Sequence, residues 1–184
     1  MGAFDSRRSC RGHRSRRRDD PGRPRQGAKR LQAGAGERGA AVRLSDTVIR
    51  YATVDKPERK IVRFLYVNPE AFAAAKKGTP APDGTVLIME DHAARLGPDG
   101  TPLVDLSGRF IPAPTITGLF LQKKRPGWGA GYAEEKRNGT WEYARFNPDG
   151  TRHPGSVDNC FGCHKPRGVQ DFTFTFSDYV QARK

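Results

Sequence analysis

The sequence predicts an α+β domain made mostly of short strands, with a few short helices. Three observations carry that expectation. Beyond residue 41 the chain falls into short apolar runs, rich in β-branched and aromatic residues and divided by turn chemistry. One of the intervening segments has the start and stop signals of a helix. The 184 residues, with a polar leading stretch, leave room for one core of ordinary size.

The elements follow in order. Thr47 to Val54 and Ile61 to Val67 read as strands, with Asp55-Lys56-Pro57 between them. Asn68 opens a turn, Pro69 sits at a first helical position, and Glu70 to Lys77 reads as a helix stopped by Gly78. Pro82-Asp83-Gly84 turns the chain into the apolar run Val86 to Met89. Gly97-Pro98-Asp99-Gly100 is a second turn, and Ser107-Gly108 separates two very short extended pieces. Thr115 to Lys123 is a further strand, and Asn138-Gly139 is a hairpin signal ahead of the alternating Trp141 to Phe146. Phe172, Phe174 and Phe176 alternate with Thr173 and Thr175, which reads as one aromatic face of a last strand. The count is six or seven strands against two or three helices.

The charge is uneven. The formal net charge is +13, from 33 Lys and Arg against 20 Asp and Glu, and residues 1–40 hold 12 of the basic and 4 of the acidic side chains. Residues 1–41 contain no apolar run and cannot bury enough surface to offset the entropy of ordering, so they read as a disordered basic tail, or as the product of a start codon assigned upstream of the real one. An arginine-rich tail that binds nucleic acid interleaves aromatics for base stacking, and this one holds only Phe4. No nucleic-acid partner is expected. Arg7-Arg8 invites a twin-arginine export reading, but no apolar segment follows, and no export signal is visible. No stretch approaches the roughly 18 consecutive apolar residues of a membrane span. Three cysteines are too few for a disulfide framework.

Two of those cysteines carry the chemistry. Cys160-Phe161-Gly162-Cys163-His164 is a C-x-x-C-H run, the attachment signature of a c-type haem. Two thiols three residues apart each add across one haem vinyl group, and the adjacent imidazole of His164 ligates iron. The chain's own composition yields this pattern by chance in roughly one chain in a thousand. A structural zinc site wants a second pair of ligands, and His92 and His153 stand singly near turns. A thioredoxin-like redox pair follows the first strand of a βαβ unit, which this pair does not. The expected cofactor is one haem c, covalently attached through Cys160 and Cys163, in a domain spanning residues 42–184.

Around the motif the chain resembles the cytochrome P460 family, which includes the β-type cytochromes c prime. The resemblance rests on Arg63-Phe64-Leu65-Tyr66-Val67-Asn68-Pro69-Glu70, Asp83-Gly84-Thr85-Val86, Lys124-Arg125-Pro126-Gly127-Trp128-Gly129, Asn138-Gly139-Thr140-Trp141-Glu142-Tyr143, Cys163-His164-Lys165-Pro166 and Gln170-Asp171-Phe172-Thr173-Phe174-Thr175. It implies a mostly antiparallel β sheet with a few helices, one covalent haem near the C-terminus, export to the periplasm and a homodimer. Two departures place the chain within the family. Where the hydroxylamine-oxidising members carry a lysine cross-linked to the haem edge, this chain has Met89, and where they carry a proton-moving glutamate it has Phe120. The distal arginine matches at Arg63. The haem-contacting set is therefore Cys160, Cys163, His164, Arg63, Met89 and Phe120, with His164 on the metal.

The function expected from these residues is a periplasmic haem protein that binds a small diatomic ligand such as nitric oxide or carbon monoxide, or passes electrons to a redox partner protein. The alternative is an oxidoreductase of hydroxylamine or nitric oxide, in which Glu90 or Asp91, beside Met89, supplies the lost proton relay.

Overall fold

The β-branched and aromatic runs form one antiparallel sheet of five strands in sequence order, β1 (Ile49–Lys56), β2 (Ile61–Val67), β3 (Val86–Ala94), β4 (Pro112–Lys124) and β5 (Trp141–Phe146). Three short α-helices accompany it, α1 (Pro69–Ala74), α2 (Asp158–His164) and α3 (Thr175–Ala182). The fold is thus α+β. The computed structural model describes residues 48–128 and 131–183, all within the unit Gly36–Lys184. The expected disordered tail over residues 1–41 lies outside them.

The strands meet where the sequence places turns. Gly84, at φ +86, ends the Pro82 turn that delivers the chain into β3, and Thr85 Oγ1 donates to Pro82 O at 2.6 Å. Asn68 does not cap α1. Its Oδ1 accepts from Val86 N at 2.8 Å, so it ties the end of β2 to the start of β3. The helix stops at Ala74 rather than Lys77, because Ala75 already has extended backbone and the alanines beyond Ala71 bury little.

Two strands are longer than their apolar runs. β3 continues through Glu90, Asp91 and His92, and β4 begins at Pro112. The polar residues are tolerated because each has a partner. Between β3 and β4 the chain makes the expected turn at Gly97–Gly100 and the two short extended pieces, held by the bridges Leu96–Pro102 and Val104–Phe110. Asn138-Gly139 does form a turn, with Gly139 at φ +58, but β5 pairs with β4 across the whole of residues 125–140 and not through a two-residue loop.

The aromatic segment near the C-terminus is not a strand. Phe172 takes φ +56 and α3 begins at Thr175, so Phe172, Phe174 and Phe176 point along a bend instead of sharing one pleated face. Phe176 and Val180 sink into the core, which gathers Val67, Ala71, Leu87, Trp141, Tyr143 and Phe161 between the sheet and the helices. A second cluster, Tyr66, Ile88 and Leu119, occupies the other face of the sheet. Among the described residues no helix is long and apolar enough to cross a membrane.

Candidate functional site

Alternation of side chains across the strands puts three registered rows on one face of the sheet. They are Arg63–Asp91–Gly118, Leu65–Met89–Phe120–Arg145 and Val67–Leu87–Gln122–Tyr143. Opposite these rows stand α2 and the bend before α3, and between them lies a cavity of about 630 Å³, within the roughly 300–1,000 Å³ of small-molecule and cofactor sites. Arg63, Met89, Phe120, Cys160, Cys163 and His164 all line it. Residues from strands and helix that are far apart in sequence thus meet around one space.

The helix that carries the motif is anchored through its own middle. Phe161, between the two cysteines, is buried and packs edge-on against Tyr143 with ring centroids 4.7 Å apart. Asn138 Nδ2 donates to Phe161 O at 3.0 Å and to the Tyr143 hydroxyl at 3.0 Å. With Phe161 turned into the core, Cys160 and Cys163 fall on the cavity side, one turn apart. Both are free thiols, Cys160 partly buried and Cys163 exposed. Burial, with Cys163 beside it, pushes the Cys160 thiol up.

His164 ends α2, and its tautomer is fixed. Nδ1 lies 2.7 Å from Phe172 O, which can only accept, so Nδ1 carries the proton and Nε2 keeps its lone pair for a metal. Burial lowers the pKa of His164, while its bond to the Phe172 carbonyl works against that. Tyr143 and Phe174 flank the ring at centroid distances of 5.1 and 4.9 Å. The carbonyl is aimed by two consecutive non-glycine residues in left-handed backbone, Asp171 at φ +52 and Phe172 at φ +56. Such strain persists only where neighbours fix it. Asp171 Oδ2 accepts from Lys124 Nζ at 2.7 Å and from Ala81 N at 2.9 Å.

Across the cavity the surface is apolar with a cationic edge. Met89 and Phe120 are cross-strand partners. A Cβ on Gly118 would stand 2.6 Å from the Phe120 ring, so glycine is what lets that ring lean back along β4. Arg145 lies over the same ring at 5.6 Å. Arg63 is held by a two-pronged pair, Nε to Asp91 Oδ1 at 2.7 Å and Nη2 to Asp91 Oδ2 at 2.9 Å, and Arg59 approaches the same carboxylate at 3.6 Å.

That pairing bears on the proton relay suggested by sequence. Asp91 is fully buried and neutralises Arg63, and it does not line the cavity. Glu90 points to the other face of the sheet, where its Oε1 lies 2.6 Å from His92 Nε2. Among the described residues lining the cavity there is no carboxylate. His92 does not stand singly near a turn. It sits within β3, bonded to Glu90 and to Ala113 O. His153 does flank a turn, where Nδ1 accepts from Gly155 N.

Sequence reasoning missed Gln122, Tyr143, Tyr51, Lys56 and Arg59, all of which line the cavity. Gln122 was within reach, since it lies two residues from Phe120 on the same strand face. Lys56 precedes and Arg59 ends a 3-10 turn at Pro57–Arg59, and nothing in local spacing announces that such a turn borders a cavity.

The donor set can be tested against the cofactor. Two free thiols one turn apart, a neutral imidazole with Nε2 available, and walls of Leu, Met, Phe and Tyr fit a haem. Among the described residues no three His, Cys, Asp or Glu side chains cluster as a metal-holding group, which is not the arrangement of a structural zinc site. A comparison with family profiles agrees with this chemistry: the family described as Cytochrome P460 matches residues 44–175. No curated protein matches the chain.

Proposed function

The chain belongs to the cytochrome P460 family, a family of haem proteins, and on that premise we propose that it is a periplasmic c-type haem protein that binds a small diatomic ligand or transfers electrons. The observation that carries this reading is the cavity in which Cys160, Cys163 and His164 face Met89 and Phe120 with no carboxylate among them. Cys160 and Cys163 hold the haem through thioethers, and His164 Nε2 ligates its iron. Bound there, the haem supplies the ligation and one-electron chemistry, and the protein tunes access and polarity.

The residues around it select the ligand. Leu65, Met89 and Phe120 offer no hydrogen bond, so they admit neutral diatomic gases, which shed little hydration on entry. Arg63 Nη1 donates to no partner among the described residues, and it supplies one cationic donor for a polarised ligand or a haem propionate. Hydroxylamine oxidation needs a group to remove protons, and general acid–base help is typically worth about 10² to 10⁴ in rate. With Glu90 on the far face and Asp91 neutralised, that help is missing, so turnover of hydroxylamine or nitric oxide is the weaker reading. A homodimer, as the family resemblance implies, belongs to the same proposal.

The test is an optical spectrum of protein matured in a host that attaches c-type haem. The ferrous form is expected to bind carbon monoxide and nitric oxide, with little hydroxylamine-dependent reduction of an acceptor. If Met89 occupies the sixth position, carbon monoxide binds only after Met89→Ala, and the electron-transfer half of the proposal holds. Robust hydroxylamine oxidation by the unmodified protein would overturn both halves.

A further inference from the structure

The carbonyl that holds His164 has a second donor. Gln122 Nε2 lies 3.0 Å from Phe172 O, the same oxygen that accepts from His164 Nδ1 at 2.7 Å. The Gln122 amide also reaches the Tyr143 hydroxyl at 3.4 Å. Gln122 is buried on β4, two residues from Phe120, so its amide is held in place by the sheet and not by solvent. From this geometry we infer that Gln122 is a positioning residue that sets the electron donation of His164 by sharing the Phe172 carbonyl.

The physics is that of a ligand's outer partner. A ligating histidine that donates its other ring N–H to an acceptor becomes a stronger donor to the metal as that acceptor becomes more basic. A carbonyl oxygen that already accepts one hydrogen bond is a weaker acceptor for the next. Gln122 therefore moderates what the short His164–Phe172 bond would otherwise do. Placement of the carbonyl is a separate matter: the Lys124–Asp171 pair holds the left-handed bend that aims it. The bend fixes direction, and Gln122 fixes strength.

This inference rests on the proposed ligation by His164, and the experiment separates the two. The haem-loaded full chain is compared with Gln122→Met and Gln122→Leu, which keep a similar volume and remove the donor. Two quantities are read, the midpoint potential and the iron–histidine stretching band in the ferrous resonance Raman spectrum. With the second donor gone, the potential is expected to move to more negative values and the band to higher frequency.

The sign is diagnostic. Removing an amide dipole from an apolar cavity, with no effect on His164, disfavours the more charged ferric state and moves the potential the other way. A potential that rises or stays constant with an unchanged band overturns the role of Gln122 and leaves His164 ligation standing. If Met89 is axial, the band is read in the Met89→Ala background, with and without the Gln122 change. Absence of any iron–histidine band there overturns both readings.

Discussion

Removing the carboxylate of Asp91 is expected to cost the domain about 3 kcal/mol, near the lower end of the roughly 3–5 kcal/mol typical of breaking a buried ion pair. The reasoning starts from geometry. Asp91 accepts two charge-assisted bonds from Arg63, at 2.7 and 2.9 Å, with its side chain 1 % exposed and that of Arg63 18 % exposed. In Asp91→Ala the guanidinium is left without a counter-ion, and Arg59, 3.6 Å from the carboxylate in the native protein, becomes a second unopposed cation. Arg63 borders the cavity and is partly solvated, so it recovers some hydration, which is why the lower end applies. With a urea m-value of about 2 kcal/mol/M for a domain of this size, the loss appears as a midpoint lowered by roughly 1.5 M. The assay is urea unfolding followed by tryptophan fluorescence, with Trp141 in the core as reporter. The double replacement Arg63→Met with Asp91→Leu is expected to recover most of the loss, because an apolar pair of similar volume replaces a buried ion pair at little cost. A midpoint shift in Asp91→Ala smaller than about 0.3 M, or a double variant no more stable than the single one, would refute the reasoning.

Three further outcomes follow from particular contacts. Gly118→Ala puts a Cβ 2.6 Å from the Phe120 ring, so the ring must move, at an overpacking cost of about 1–3 kcal/mol; Phe120→Leu in the same chain is expected to restore both stability and the rate of carbon monoxide binding, and no change in either for Gly118→Ala would contradict the packing. Phe161→Ala removes the anchor of α2 and is expected to cost about 3–5 kcal/mol in the same unfolding assay. At high pH, Tyr51 and Tyr66 have pKa values raised from 10 to about 12, mainly by burial. The folded state then holds the proton that the unfolded state releases, so stability is complete below pH 10 and falls between 10 and 12, by up to about 1.4 kcal/mol per pH unit for each tyrosine. Tyr51→Phe should flatten that fall, and an unchanged alkaline slope would count against it.

Much of the sheet was legible because its strands are marked by apolar alternation and bounded by turn residues. Ile61–Val67 and Trp141–Phe146 end where the apolar pattern ends. β3 runs past its apolar stretch because Asp91 and Glu90 are satisfied by Arg63 and His92, partners that lie on another strand or two residues along, and local pattern prices a buried carboxylate as a strand breaker. The Phe172–Phe176 alternation misled for the opposite reason. The spacing suits a strand, but this stretch pairs with no strand of the sheet, and the Lys124–Asp171 pair turns the backbone into a left-handed bend there. The motif cysteines and histidine were readable because attachment chemistry fixes their spacing. The neutralisation of Arg63 and the sharing of the Phe172 carbonyl depend on contacts between distant segments, and only the folded chain displays them.

The most direct test of the haem site is a mass spectrum of peptides from matured, denatured and digested protein. A peptide spanning Cys160 to His164 is expected to carry one haem through two thioether bonds, and the peptide containing Met89 is expected to be unmodified. A Cys160–His164 peptide recovered without haem from correctly matured protein, or a third covalent attachment at residue 89, would contradict the account.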